Sequence, residues 1–155
     1  MMVIREVNTL KLIEYIESAW KGDVNLHVFY DRSLNLKSLE NMVRDTHDKI
    51  LDLNNQQSGL SFFGIEHDSV KIGFIVLNEQ FNFLYSFGVR HDFRNRDMLE
   101  PIFFYIRKKL KDNFFCLMNE CNTRAIRWLK KCGLKEIPSL SPSKDIVYLK
   151  YEKCQ

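Results

Sequence analysis

The sequence predicts an α/β fold: a mixed, mostly antiparallel sheet of six or seven strands with about four helices packed on both faces. Two patterns carry this reading. Aromatic and β-branched runs separated by short turns fill residues 60–89, whereas apolar residues on either side return every three or four positions. A third observation is length: 155 residues allow one ordinary core and not two, so residues 1–155 are expected to form a single domain.

Taken in order, Met2 to Val7 reads as a short strand. Asn8 or Thr9 can cap the helix that follows, in which Leu10, Ile13, Ile16 and Trp20 recur at helical spacing and are expected to face inward. Residues 22–34 are mixed and loop-like. Asn35 then precedes Leu36, Leu39, Val43 and Ile50 in a second amphipathic helix, which runs into the polar segment Asn54 to Gly59. From Leu60 the period becomes that of strands. Leu60–Glu66, Val70–Leu77 and Phe81–Val89, joined by His67-Asp68-Ser69 and Asn78-Glu79-Gln80, form the pattern of an antiparallel meander. Met98 to Lys111 carries Leu99, Ile102, Ile106 and Leu110 on one face. Proline is tolerated in the first turn of a helix, so Pro101 places the start at Asp97 to Leu99, with the Asp97 carboxylate as cap. Phe114–Met118 is a buried strand, Asn122–Cys132 a helix capped by asparagine and stopped by Gly133, and Ile146–Tyr151 a last alternating strand. Ser139–Ser143, between Pro138 and Pro142, reads as loop.

Composition excludes several classes. With 45% apolar and 28% charged residues, and only six glycines and three prolines, the chain is neither disordered nor fibrous. A net charge of +3 is too small for nucleic acid to be the expected partner. No segment approaches the ~18–20 consecutive apolar residues of a membrane span. Arg5, Glu6, Lys11, Glu14 and Glu17 interrupt the first twenty residues, unlike a secretory signal. The expectation is a soluble, cytoplasmic protein with no membrane association. Cys116, Cys121, Cys132 and Cys154 form no CxxC pair, and His27, His47, His67 and His91 lack the i, i+3 or i+4 spacing of ligands, so no metal is expected. The phenylalanines at 103, 104, 114 and 115 read as core rather than as a base-stacking platform.

The chemistry points to one loop. Residues 90–97, Arg-His-Asp-Phe-Arg-Asn-Arg-Asp, join the end of a central strand to a helix N-terminus, where unpaired N–H groups and the helix dipole favour an anion. Residues 90–111 hold seven Lys/Arg against three Asp/Glu, and Arg124, Arg127, Lys130 and Lys131 extend the positive charge on the next helix. A phosphorylated ligand fits that charge. Arg107 to Lys111, Lys130 and Lys131 also suit plain solvated helix faces.

The run Val89 to Leu99 resembles the strand-loop-helix that cradles the coenzyme A pyrophosphate in the GCN5-related N-acetyltransferases, the GNAT superfamily. Asn122 to Leu134 is similar to that family's asparagine-led helix ending in glycine and a large apolar residue. The resemblance implies a GNAT-like fold and transfer of an acyl group, acetyl in the first instance, from acetyl-CoA or another acyl-CoA to an amine by direct attack in a ternary complex. It implies cofactor contacts at Phe87, Val89, Arg94, Asn95, Arg96, Asp97, Met98, Leu99 and Asn122. It also implies that the strand ending at Val89 splays from Phe114–Met118 to admit the pantetheine arm. Position singles out Tyr85, Ser86 and Glu120 as candidate catalytic groups for proton transfer; each is equally a sheet-surface side chain. The chain departs from the family pattern at Asp97 and Leu99, which stand where the loop has small glycine-type residues, and at Leu129, which stands where many relatives have the tyrosine that protonates the departing thiolate. Two alternatives stay open: a GNAT-fold binding or structural protein without catalysis, and a nucleic-acid module using the basic face. The acceptor, small molecule or protein, matches no motif in residues 8–58. A monomer or homodimer is expected.

Overall fold

The structure, a computed structural model, describes residues 1–23 and 39–153. The elements run β1 (Met2–Glu6), α1 (Thr9–Trp20), α2 (Leu39–Gln56), β2 (Leu60–His67), β3 (Val70–Asn78), β4 (Phe83–Val89), α3 (Arg96–Lys109), β5 (Asn113–Asn119), α4 (Thr123–Lys131), β6 (Lys135–Glu136) and β7 (Ile146–Glu152). They build a seven-stranded sheet in the order β1-β2-β3-β4-β5-β7-β6. Every neighbouring pair is antiparallel except β4 and β5. The mixed, mostly antiparallel sheet expected from the sequence is therefore the observed one, and the four described helices cover both faces.

Two cores follow from that layering. On one face α3 and α4 bury Ile102, Phe103, Ile106 and Leu129 against Phe63, Ile65, Ile75, Leu84, Phe114, Cys116 and Leu149. On the other, Leu12, Tyr15, Ile16 and Ala19 of α1 and Val43 and Ile50 of α2 pack on Phe62, Phe74 and Val76. The buried stripe of α1 is rotated from the expected one: Leu10 is 80% exposed, and Leu12 takes the inward position. Leucines at 10 and 12 both continue a three-to-four spacing toward Ile16, and only the sheet beneath decides which register is buried. The expected start of the second helix at Asn35 and Leu36 lies outside the described residues.

Local chemistry sets the boundaries. Asn8 caps α1 by accepting from Lys11 N at 2.9 Å. The β2–β3 hairpin turns on Asp68 and Ser69, both with positive φ, as a two-residue turn between right-twisted strands requires. The buried Asn78 side chain donates to Gln57 Oε1 and Ser58 O and accepts from Gln80 N and Phe81 N. With Asn78 holding the turn, Phe81 stays outside β4 and is exposed. The short β6 was not expected; it exists because β7 offers Leu149 and Lys150 as partners.

The start of α3 corrects the sequence reading. The helix begins at Arg96, not at Asp97 to Leu99, and its cap is Asn95, whose side chain accepts from Met98 N at 3.1 Å. Asp97 is the second helical residue and not the cap. Pro101 sits in the second turn, where its missing N–H forfeits one helical bond, a loss that the Asn95 cap offsets only in part.

α1 lies close on the sheet because β2 has no side chain at Gly64. A Cβ there would meet three Tyr15 ring atoms at 2.4–2.6 Å. Gly64→Ala is expected to lower stability by about 1–3 kcal/mol through overpacking; a urea-unfolding midpoint equal to that of the parent chain would contradict this packing.

Candidate active site

The site begins where pairing stops. β4 and β5 run parallel and share two residue pairs, Phe83 with Phe115 and Leu84 with Cys116. Beyond them the strands diverge. One step past the last pair, the β3–β4 register jumps from Val76 opposite Ser86 to Leu77 opposite Leu84, which leaves Tyr85 as the extra residue of a β-bulge. A bulge bends its strand and increases its twist, so β4 turns out of line with β5 at this point.

The divergence opens a cleft of about 470 Å³. Tyr85 to Val89 form one wall and Leu117 to Asn119 the other, with Trp128 of α4 packed on Phe87 at 5.4 Å between ring centroids. Arg90 N donates to Ile72 O at 2.7 Å, which directs that residue's main chain at β3. By alternation the polar main-chain groups of Phe87 and Val89 point the other way, into the cleft. The Val89 carbonyl does so and accepts from Arg94 Nε at 2.7 Å.

The charge on the cleft lining is mostly positive. Arg94, Arg124, Arg127 and Lys131 line the cleft, and Asp23 is the single carboxylate among the described lining residues. The Asp23 side chain is 5% exposed and lies 2.8 Å from Arg94 Nη2 and 3.9 Å from Arg124 Nη1. Arg94 thus ties the end of β4 to the residue just past α1.

Several sequence-predicted residues come together here. Tyr85, Ser86, Phe87, Val89, Arg94, Leu99 and Asn122 all line the cleft. Asn122 caps α4 by accepting from Ala125 N at 3.4 Å. Burial pushes the Tyr85 phenol above its usual value of 10, so it keeps its proton throughout the neutral range. Others lie apart. Arg96 is 86% exposed and paired with Glu100 at 2.7 Å, Asp97 is exposed, and Asn95 is engaged as the α3 cap. Met98 is half-buried outside the cleft lining, and Glu120 is exposed in a shallow hollow with Thr123 and Arg127. Leu129 is buried in the α3–α4 core, turned away from the cleft.

Trp20, Asp23, Thr46 and Trp128 line the cleft without having been singled out. For α4 a signal existed, since Arg124, Arg127 and Lys131 at i, i+3 and i+7 share one helix face. For Trp20 and Asp23 there was none, because they reach the site from an element at the other end of the chain.

The fold is similar to those of solved acetyltransferases. The PaiA N-acetyltransferase of Thermoplasma acidophilum, in complex with coenzyme A, superposes with a TM-score of 0.66 at 18% identity over 99% of each chain. PseH, an N-acetyltransferase of Campylobacter jejuni in complex with acetyl coenzyme A, gives 0.60 at 15% identity over 99% of this chain and 100% of that one. The ribosomal-protein-S18-alanine N-acetyltransferase of Escherichia coli gives 0.56 at 14% identity over 100% and 97%. No sequence-family model matches the chain, and no curated protein matches it in sequence. The interrupted β4–β5 pair and these full-length superpositions define the class of fold. In particular, the chain has the fold of the GCN5-related N-acetyltransferases.

Arg94→Ala is expected to lower stability by about 1.5–3 kcal/mol, because it removes charge-assisted bonds to a buried carboxylate and to a strand carbonyl. Arg96→Ala, at a solvated pair, is expected to change it by no more than about 0.5 kcal/mol. Equal urea midpoints for the two variants would rule out the bridging role of Arg94.

Proposed function

We propose that the protein is an acyl-CoA-dependent N-acyltransferase that passes an acetyl group from acetyl-CoA to an amine by direct attack. The cleft between β4 and β5, with the β4 edge turned into it at Phe87 and with cations along α4 beside it, carries this reading. The residues present fit acetyl-CoA: an extended, amide-bearing arm matches an open strand edge, and phosphates match Arg124, Arg127 and Lys131. Coenzyme A-bound relatives of the same fold support the assignment. When bound, acetyl-CoA supplies an activated thioester whose acyl group is exchanged for the proton of an amine.

The chain's own groups then have definite tasks. The Phe87 N–H, directed into the cleft, is placed to donate to a carbonyl oxygen that gains negative charge. Tyr85 holds a proton at Oη and serves as general acid in place of the tyrosine that Leu129 replaces. Ser86 lines the same wall and can relay a proton to water. Glu120, outside the cleft, accepts a proton only after water has carried it out. The amine must lose its charge before it attacks, since a free lysine-type amine with pKa ~10.4 is almost wholly protonated at neutral pH. Cys116 and Cys132 are poor nucleophiles: burial pushes their thiols up to about 12 and about 11, which leaves essentially no thiolate at pH 7.

A second reading, a binding protein of this fold without turnover, draws on Asn95 and Asp97 at the start of α3. The Asn95 side chain already takes the Met98 N–H, and the Asp97 carboxylate would repel a nearby phosphate. Calorimetry and a thiol-release assay separate the two. Saturating acetyl-CoA is expected to raise the melting midpoint by several degrees, as a ligand at 100 times its dissociation constant adds ~2.7 kcal/mol. Arg127→Ala is expected to weaken binding, whereas Arg107→Ala, paired with Asp112 at the far end of α3, leaves it unchanged. An unchanged melting curve in millimolar acetyl-CoA would overturn the proposal; binding without thiol release from any amine would favour the second reading.

The role of Tyr85 has its own test. Tyr85→Phe is expected to lower kcat by about 10²-fold or more with the acetyl-CoA dissociation constant unchanged. Because burial raises the phenol pKa, the parent enzyme is expected to keep its general-acid activity up to at least pH 10 rather than lose it near that value. A basic limb centred below pH 10 that persists in Tyr85→Phe would assign the acid elsewhere.

A further inference from the structure

A row of rings adjoins the cleft and meets it at Tyr85. On the sheet face that carries α1 and α2, Phe83 of β4 stacks on Phe115 of β5 with centroids 4.7 Å apart and planes at 12°. Phe115 stacks in turn on Tyr148 of β7 at 5.3 Å and 12°, and Tyr85 stands edge-on to Phe83 at 5.8 Å. All four are half-buried. The alternate residues Leu84, Phe114, Cys116 and Leu149 belong to the α3–α4 core on the opposite face, so these rings are not what closes that core. Tyr85 is shared with the cleft, and Leu117, the register partner of Tyr148, lines it as well.

Among the described residues, this sheet face carries two lysines beyond the ladder, with Glu152 one step further along β7. Asp23, the one carboxylate among the described lining residues, is held by Arg94 at 2.8 Å. On the far side Lys150 lies opposite Phe115, its Nζ donating to Asn113 Oδ1 at 2.7 Å, and Lys135 lies opposite Lys150. A ligand on the rings therefore meets π faces at the cleft and two ammonium groups beyond.

We infer that the acyl acceptor, on the function proposed above, is a monoamine with an apolar, preferably aromatic, body that lies on Phe83, Phe115 and Tyr148 with its nitrogen at Tyr85. Ring faces stack on a flat body and offer the nitrogen no charged partner. They do not lock the proton on nitrogen, as a carboxylate would. Partial burial among rings disfavours the charged form and lowers the amine pKa, which supplies the neutral nucleophile. A second positive charge on the acceptor would be driven against Lys150 and Lys135, so polyamines and basic peptides are poor acceptors. The reaction balances simply: the C–N bond forms as the C–S bond breaks, the nitrogen gives up one proton, and the departing sulfur gains one.

The probes are 2-phenylethylamine, spermidine and a lysine-containing basic peptide, titrated calorimetrically into the protein saturated with coenzyme A and then assayed with acetyl-CoA. 2-Phenylethylamine is expected to bind at least tenfold more tightly than the other two and to be acetylated. Phe115→Leu and Tyr148→Leu are expected to weaken its binding about tenfold while leaving the acetyl-CoA dissociation constant unchanged, and Lys150→Gln to improve spermidine binding. If acetyl-CoA binds but spermidine or the peptide is preferred, or if both leucine variants bind 2-phenylethylamine as the parent does, the acceptor class is wrong while the acyltransferase proposal stands. If acetyl-CoA itself fails to bind, the proposal and this inference fall together.

Discussion

β4 and β5 share two residue pairs and then part, and the arrangement of the site depends on that short parallel contact. Its closed end is held from both faces, by Leu84, Phe114 and Cys116 in the α3–α4 core and by the Phe83–Phe115 stack on the other side. Its open end is forced by the Tyr85 bulge, which re-aims the rest of β4. A strand that leaves its neighbour exposes main-chain donors and acceptors that are costly to bury unpaired. Here one of them, the Val89 carbonyl, is satisfied by Arg94 Nε, and Phe87 presents its own to the cleft. The cleft is thus polar along its backbone edge and apolar in its walls, a combination suited to an extended, amide-bearing ligand.

The helix ends show how capping and anion binding compete for the same N–H groups. In α3 the Asn95 side chain takes the Met98 N–H, a bond typically worth about 1 kcal/mol to the helix, and Asp97 adds a negative charge in the first turn. Both stabilise the free protein and make that terminus a weaker phosphate site. The positive charge that faces the cleft comes from side chains instead, chiefly Arg124, Arg127 and Lys131 along α4. Arg94 is drawn into the scaffold by Val89 and Asp23, which links the end of β4 to the segment leaving α1.

The two sheet faces divide the work. Behind the cleft, α3 and α4 set Trp128 against Phe87 and Phe103 and bury Leu129 completely, so this face fixes the wall and offers no ionisable group at the Leu129 position. On the α1–α2 face, Tyr85 lies between a packed core and a ladder of half-buried rings. One residue therefore touches both the cleft and the ring surface beside it.

Much of this was legible in the sequence because it is local. Period-two runs, a short turn around Asp68 and Ser69, the asparagine caps at Asn8 and Asn122 and the stop at Gly133 each depend on neighbours a few positions away, and from them came the element order, the mixed sheet and the likeness to one acyltransferase fold. Properties that depend on what lies across a helix or beyond a strand end were not legible. Leu10 and Leu12 both fit the apolar spacing of α1, and the sheet chose Leu12. Asn95 and Asp97 are both good capping residues, and the entry angle of the chain from β4 chose Asn95, against the reading from Pro101. Tyr85 was a candidate by position alone, and its place at the mouth of the cleft comes from a bulge measured against β3. Asp23 could not be tied to Arg94 by any spacing rule, since 71 residues separate them. The sequence by itself determined which elements form and in what order, because propensity, capping and turn chemistry act over a few residues. Tertiary packing decided where β4 and β5 separate and which charges and rings meet there, because those contacts join segments whose proximity exists only after the chain has folded.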